Sequence, residues 1–128
     1  MSSLILDTCG FIWLVNGGGD LSARTLQEIQ NAEIVYVSTA SAIEIGCKVA
    51  LGKLELPLSP FEWYAQAISH HDLVEIPIDS AIGFRSASLP PHHKDPADRI
   101  VIATAQLKNL PVVTHDSRFV EYGIKVLK

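Results

Sequence analysis

The chain has no surplus of basic residues. Ten Lys and Arg stand against fourteen Asp and Glu, giving a formal charge of -4. That excludes a protein that holds nucleic acid by its overall field, so any contact with a polyanion must run through a few local cations. Long apolar runs are lacking as well. Asp7 interrupts the N-terminal apolar stretch, and nothing approaches the roughly 18 residues that a membrane span needs, so a soluble, unexported, cytoplasmic protein is expected. Cys9 and Cys47 are the only cysteines, and without an export signal they are expected to be free thiols. There is no P-loop, no G-x-G-x-x-G and no G-x-S-x-G elbow, which removes the common nucleotide cradles and the α/β-hydrolase nucleophile.

What is present describes a compact domain. At 48% hydrophobic and 19% charged, 128 residues can bury one core, and no repeat, low-complexity tract or linker divides them, so a single domain over 1–128 is expected. Short apolar runs alternate with helical patterns. Leu4-Ile5-Leu6 reads as a buried strand ending at Asp7, followed by a helix through Val15 that Gly17-Gly18-Gly19 stops. Ser22 caps a helix carrying Leu26 and Ile29. Ile34 to Val37 is a second strand, and Ser38 to Ser41 supply caps for a helix whose apolar stripe reads as Ile43, Cys47, Ala50 and Leu51.

Ser59-Pro60-Phe61-Glu62 combines a cap, Pro at the first helical position and Glu at the third, which starts a helix through about Ser69. His70 and His71 follow it, where imidazolium suits the helix dipole. Leu73 to Ile78 is a third strand, and Asp79 caps a helix through about Ser88. After the Pro-rich break at 89–94, Asp95-Pro96 starts a helix to about Lys108, with Ile100, Ala103 and Leu107 on one stripe. Pro111 to Thr114 is a fourth strand, and Ile124 to Leu127 a candidate fifth. Apolar strands separated by helices imply a three-layer α/β/α sandwich around a mostly parallel sheet, with its ligand crevice beyond the carboxyl ends of the strands.

Asp7 and Asp116 directly follow two of these strands, while Glu44 and Asp98 lie early in helices fed toward the same edge. Each has an ordinary structural explanation. Asp7 can cap the next helix, Glu44 can box with Ser41 or pair with Lys48, Asp98 can serve the helix dipole, and Asp116 can be a turn residue. Jointly they point further, because four carboxylates in one crevice repel one another unless cations compensate them, and hard oxygen-seeking ions such as Mg²⁺ or Mn²⁺ suit that set. His92, His93 and Asp95, with His115 beside Asp116, offer a weaker zinc alternative, since they form neither a helical i, i+4 pair nor a Cys/His framework.

The residues carrying these acids resemble a known family. Leu4-Ile5-Leu6-Asp7-Thr8 with Trp13-Leu14, Val37-Ser38-Thr39-Ala40-Ser41-Ala42-Ile43-Glu44-Ile45 with Lys48 and Leu51-Gly52-Lys53-Leu54, His92-His93-Lys94-Asp95-Pro96-Ala97-Asp98-Arg99-Ile100, and Val113-Thr114-His115-Asp116 run in the order and spacing of PIN-domain ribonucleases, in particular the VapC-like toxins of toxin-antitoxin pairs. By that resemblance Asp7, Glu44, Asp98 and Asp116 match the metal-binding catalytic acids. Thr8 and Thr114 match supporting hydroxyls, Asp95 a helix cap beside the motif acid, and Arg99 and Lys48 substrate or supporting partners.

The resemblance implies an endoribonuclease using one or two Mg²⁺ (or Mn²⁺) ions to hydrolyse RNA, leaving 5′-phosphate and 3′-hydroxyl ends, and forming a homodimer neutralised by a cognate antitoxin. Lys48, Lys94, Arg99 and Arg118 are the candidate RNA-contacting cations. Two positions depart from the pattern: Ile43 where close relatives often have Trp, and Cys9 where His or Ser is common. A phosphatase of another α/β family is the rival enzyme, but the haloacid-dehalogenase type wants Asp-x-Asp and position 9 is Cys. A catalytically silent binding module on the same fold is the other alternative, to be separated by metal titration.

Overall fold

A computed structural model describes residues 2–128. The elements run β1 (Leu4–Leu6), α1 (Thr8–Val15), α2 (Ala23–Asn31), β2 (Val35–Ser38), α3 (Thr39–Ala50), α4 (Pro60–His70), β3 (Val74–Ile76), α5 (Ser80–Ser88), α6 (Pro96–Lys108), β4 (Val112–Val113), a 3-10 helix (Ser117–Tyr122) and β5 (Val126–Leu127). The five strands form one sheet in the order β3-β2-β1-β4-β5, and each neighbouring pair is parallel. The 3-10 helix has no counterpart in the sequence reading, because six residues give too short a window for a period to show.

The sheet explains where the helices go. The chain walks from β1 outward to β3, then crosses back past β1 to β4, and right-handed crossovers place the helices of those two walks on opposite faces. Strand side chains sort accordingly. Leu4, Leu6, Val35, Val37 and Val113 pack with Phe11, Ile29, Ile45, Trp63 and Ala67 from α1 to α4. Ile5 and Val112 point the other way, into Ile82, Val101, Ile102, Ala103, Ala105, Phe119 and Tyr122 from α5, α6 and the 3-10 helix. The layer prediction is therefore met, with β1 buried on both faces at the centre.

Two stripe assignments are corrected. Ile43, Cys47, Ala50 and Leu51 are all exposed, Ile43 by 59% and Leu51 by 69%, while α3 buries Ala40, Ser41 and Ile45. This helix carries two apolar stripes, and its direct departure from β2 at the Ser38 cap, with Ser41 bonded to Thr8 on α1, fixes which one meets the core. On α6, Leu107 is likewise largely exposed, whereas five consecutive residues from Val101 to Ala105 are buried. A helix pressed by the sheet and by α5 and α3 at once has no single apolar stripe.

Most caps fall where expected. Ser22, Ser59, Asp79 and Asp95 each accept an amide three residues on. Glu44 does not complete a capping box with Ser41, since Ser38 caps α3 through the Ala40 amide.

The corrected face of α3 gives a direct test. Ile45→Ala should lower stability by about 2–5 kcal/mol through lost burial and a cavity, whereas Ile43→Ala should change it by less than about 0.5 kcal/mol. Urea unfolding of the two variants decides this, and the reverse order would return the burial to the Ile43 stripe.

Candidate metal centre

The strand order reverses between β1 and β4, and at such a switch point the loops leaving two neighbouring strands part to open a crevice. Asp7 leaves β1 there, and Thr114, His115 and Asp116 leave β4. Asp7 is buried, accepts the Gly10 amide at 2.6 Å, and thereby caps α1. Gly10 is needed for this approach, since a Cβ on it would lie 3.0 Å from Asp7 Oδ1 and 3.1 Å from the Val113 carbonyl. Glu44 comes from the second turn of α3, and Asp98 from the first turn of α6, where its amide is held by the Asp95 carboxylate at 3.1 Å. The structure thus brings the four predicted acids to one crevice, with capping roles for Asp7, Asp95 and Asp116 besides.

Their electrostatics confirm the crowding. Burial raises the pKa of Asp7, a donor from Thr114 and the Gly10 amide oppose that, and the charges of Glu44 and Asp116 add to the rise. Burial also pushes Asp98 up, to about 7, with Asp95, Glu44, Asp7 and Asp116 all contributing repulsion. Asp116 goes the other way, to about 2, first because Arg118 donates to it and then through His93. Its Oδ1 accepts from the Arg118 amide and Nε, and its Oδ2 from Arg118 Nη2 at 2.7 Å and from His93 Nε2 at 2.9 Å.

Glu44 supplies the clearest test of whether the crevice fits a cation. Its Oε2 lies 3.3 Å from Lys48 Nζ, but its Oε1 is buried with no hydrogen-bond donor. A buried carboxylate oxygen without a partner costs free energy that a bound cation would offset. The donor set around it is almost wholly carboxylate oxygen, which fits a hard divalent ion such as Mg²⁺ or Mn²⁺.

The remaining predicted residues divide. Lys48 stays at the crevice beside Glu44; burial works against its charge, but Glu44 outweighs it and raises its pKa. Thr114 accepts the Asp116 amide and lies beside Asp7, so it ties the two acids together. Thr8 is buried and shares a 2.9 Å hydrogen bond with Ser41, which locks α1 to α3.

Arg99 takes the supporting one of its two expected roles. Its guanidinium donates to the carbonyls of Pro90, His93, Ser86 and Leu89, so it staples the 86–93 segment to α6 and is not a free cation for RNA. The DPxDR spacing put it beside the acid, but only the loop's path shows that four carbonyls take up both its terminal nitrogens.

His93 entered the sequence reading only for the weaker zinc alternative and was not placed between Asp98 and Asp116. It is buried and its Nε2 sits 3.0 Å from Asp98 Oδ2 as well as 2.9 Å from Asp116 Oδ2. The doubled histidine beside Asp95 was the available signal, but its partners lie 5 and 23 residues away. Cys9 and Cys47 are both free thiols, as expected. Among the described residues, no helix is long and apolar enough to cross a membrane.

Residues 4–125 match the PIN domain family, and the chain belongs to it. It is 26% identical over 119 residues to Ribonuclease VapC22 of Mycobacterium tuberculosis, covering 92% of this chain and 90% of that one. Among solved structures it is similar to VapBC2 from Rickettsia felis bound to a promoter DNA fragment, with a TM-score of 0.69, 16% identity and coverage of 98% and 97% of the two chains. FitAcB from Neisseria gonorrhoeae gives a TM-score of 0.68 at 20% identity, with 98% and 96% covered.

Two predictions follow from the site's construction. Arg99→Lys keeps the charge but cannot reach four carbonyls with one ammonium; it should cost about 1–3 kcal/mol and raise amide exchange across residues 86–94. Wild-type exchange in that variant would free Arg99 for a substrate role.

The second concerns pH without metal. Asp98 ordinarily titrates near 3.8 and does so near 7 in the folded chain, so between those values the folded state binds more protons than the unfolded state. Its stabilising contribution is full below pH 4 and is lost as pH rises through 7. Asp116, lowered to about 2, has the opposite sign but acts only below about pH 4. In EDTA the melting temperature should therefore be higher at pH 5 than at pH 8, and Asp98→Asn should flatten the difference. A melting temperature that rises across this range would contradict the assignment.

Proposed function

We propose that this chain is a divalent-metal-dependent endoribonuclease, acting in the cytoplasm as the toxin of a toxin-antitoxin pair. The observation that carries the reading is the orphaned Glu44 oxygen in a crevice shared with Asp7, Asp98 and Asp116. The family membership and the ribonuclease name of the Mycobacterium relative support RNA as the substrate. Structural neighbours solved as a toxin-antitoxin complex from Klebsiella pneumoniae and as a member of the VapBC family of toxin-antitoxin systems from Mycobacterium tuberculosis support a protein partner. The apolar side chains left exposed at Ile43, Leu51, Phe61 and Phe84 support protein contacts, including a homodimer.

Asp7, Glu44, Asp98 and Asp116 would hold Mg²⁺ or Mn²⁺. Bound there, such an ion lowers the pKa of water and neutralises charge on the phosphate. The chain's own groups position everything else. The Thr114 hydroxyl links Asp7 to the Asp116 amide, the Thr8–Ser41 pair holds α1 and α3 at a fixed separation, and Arg99 fixes the segment that leads into Asp98. Lys48 stands at the crevice, Arg118 lies at its rim on Asp116, and Lys94 is exposed on the adjoining loop, so these three would be the cations offered to an incoming backbone. Because the strand is held by few cations, binding should depend on salt with a shallow slope.

The test is cleavage of RNA by the purified chain with Mg²⁺ or Mn²⁺ and with EDTA. Asp7→Asn and Asp98→Asn should each lower the metal-dependent rate by about 100-fold or more, at or beyond the upper end of losses seen for residues that only support a metal ligand, while circular dichroism stays unchanged. New ends should carry 5′-phosphate. Full activity in either variant, or in EDTA, would end the metal-nuclease reading.

A further inference from the structure

His93 is a buried polar residue at the crevice, 2% exposed, and it lies outside the acid set. We infer that His93 is a positioning residue: its ring Nε2–H holds the Asp98 and Asp116 carboxylates together, from outside the metal's coordination shell. This goes beyond the nuclease reading by assigning a role to a residue outside the acid set, and its bearing on metal rests on that reading.

The ring's hydrogen bonds carry the argument. Nδ1 accepts the Asp95 amide at 3.2 Å, so that nitrogen presents a lone pair and the ring proton belongs on Nε2. Nε2 donates to Asp116 Oδ2 at 2.9 Å and lies 3.0 Å from Asp98 Oδ2, an ion-pair contact, which places one donor between two carboxyl groups from different elements. An N–H in that place offsets their repulsion and sets their separation.

The same geometry argues against the obvious rival. One atom each from His93, Asp98 and Asp116 lie within 4.8 Å of one another, close enough to share an ion. Ligation through Nε2 would require moving the ring proton to Nδ1, where it would face the Asp95 amide hydrogen. Asp95 caps α6, so that amide is fixed by the helix start and does not readily turn away.

The ring is held from every side in this pose. The His93 amide donates to Tyr122 Oη, which in turn donates to the Pro90 carbonyl, and the His93 carbonyl accepts from Arg99. Phe119 packs edge-on against the imidazole at 5.7 Å. Such a brace is what a metal site needs, because outer partners that orient carboxylates commonly set affinity.

The test has two arms. In the first, two-bond ¹H–¹⁵N spectra of histidine-labelled, metal-free protein report the tautomer; a proton on Nε2 of His93 is expected, retained when Mg²⁺ is added. A proton on Nδ1, or loss of the Nε2 proton with Mg²⁺, would overturn the proposal. In the second, Mn²⁺ affinity is measured by electron paramagnetic resonance in folded His93→Leu and His93→Gln variants. Leucine keeps the packing against Phe119 but removes the donor, and should weaken binding about 10–100-fold; glutamine restores an N–H near Nε2 and should stay within about threefold of wild type. Equal affinity in the Leu variant, or a Gln variant as weak as Leu, would overturn the positioning role. If wild type binds no Mn²⁺, the metal reading fails, and the tautomer measurement, which needs no metal, decides the clamp.

Discussion

Repulsion among carboxylates at the β1/β4 switch point is the constraint around which this protein is built. Asp7, Glu44, Asp98 and Asp116 share a crevice with Asp95 close behind, and burial on one side and pairing on the other move the pKa values of Asp7, Asp98 and Asp116 apart. The interior members, Asp7 and Asp98, lose water and are raised. The rim member, Asp116, meets Arg118 and is lowered. A purely structural cluster has no reason to leave Glu44 Oε1 buried and unpartnered beside three other acids. A site that receives a cation, as proposed, would have one, because the repulsion that destabilises the free chain would become attraction when the ion binds.

Holding like charges together requires a stiff frame, and much of the polar structure supplies one. Asp7 is fixed by capping α1, and Asp98 by following a capped Pro at the start of α6. Arg99 and Tyr122 clamp the 86–93 segment from two sides, so His93 enters between Asp98 and Asp116 on a braced backbone. These groups touch carbonyls and amides more than they face solvent. Their contribution is to remove the motions by which repelled carboxylates would separate.

The fold was legible because its signals are local. Leu4-Ile5-Leu6 and Val35 to Val37 are short apolar runs that only a doubly covered strand would bury, and Ser59-Pro60-Phe61-Glu62 spells a helix start. The acids were legible because each follows an element end that points at one edge. What failed was anything decided by tertiary surroundings. Two apolar stripes on α3 looked equivalent until Ser41 met Thr8, and Arg99 looked like a free cation until the loop wrapped it. His93 was weighed only as a weak metal ligand beside Asp95, and the structure adds Asp98 and, across the whole of α6 and β4, Asp116.

The charge of -4 acquires a physical meaning from this arrangement. Without the four crevice acids, the remaining ten acids equal the ten Lys and Arg, so the excess resides at the site itself. An RNA strand approaching the metal-free crevice would meet net negative potential, with Lys48 and Arg118 already paired to Glu44 and Asp116. On the proposed function, a bound cation would reverse that sign locally and relieve those two side chains of their acids, and Lys48 and Arg118 would then be available to phosphate. On that reading, the scarcity of basic residues would act as a selectivity device: affinity for a polyanion would be concentrated where the acids gather the ion, and the rest of the surface would offer it little.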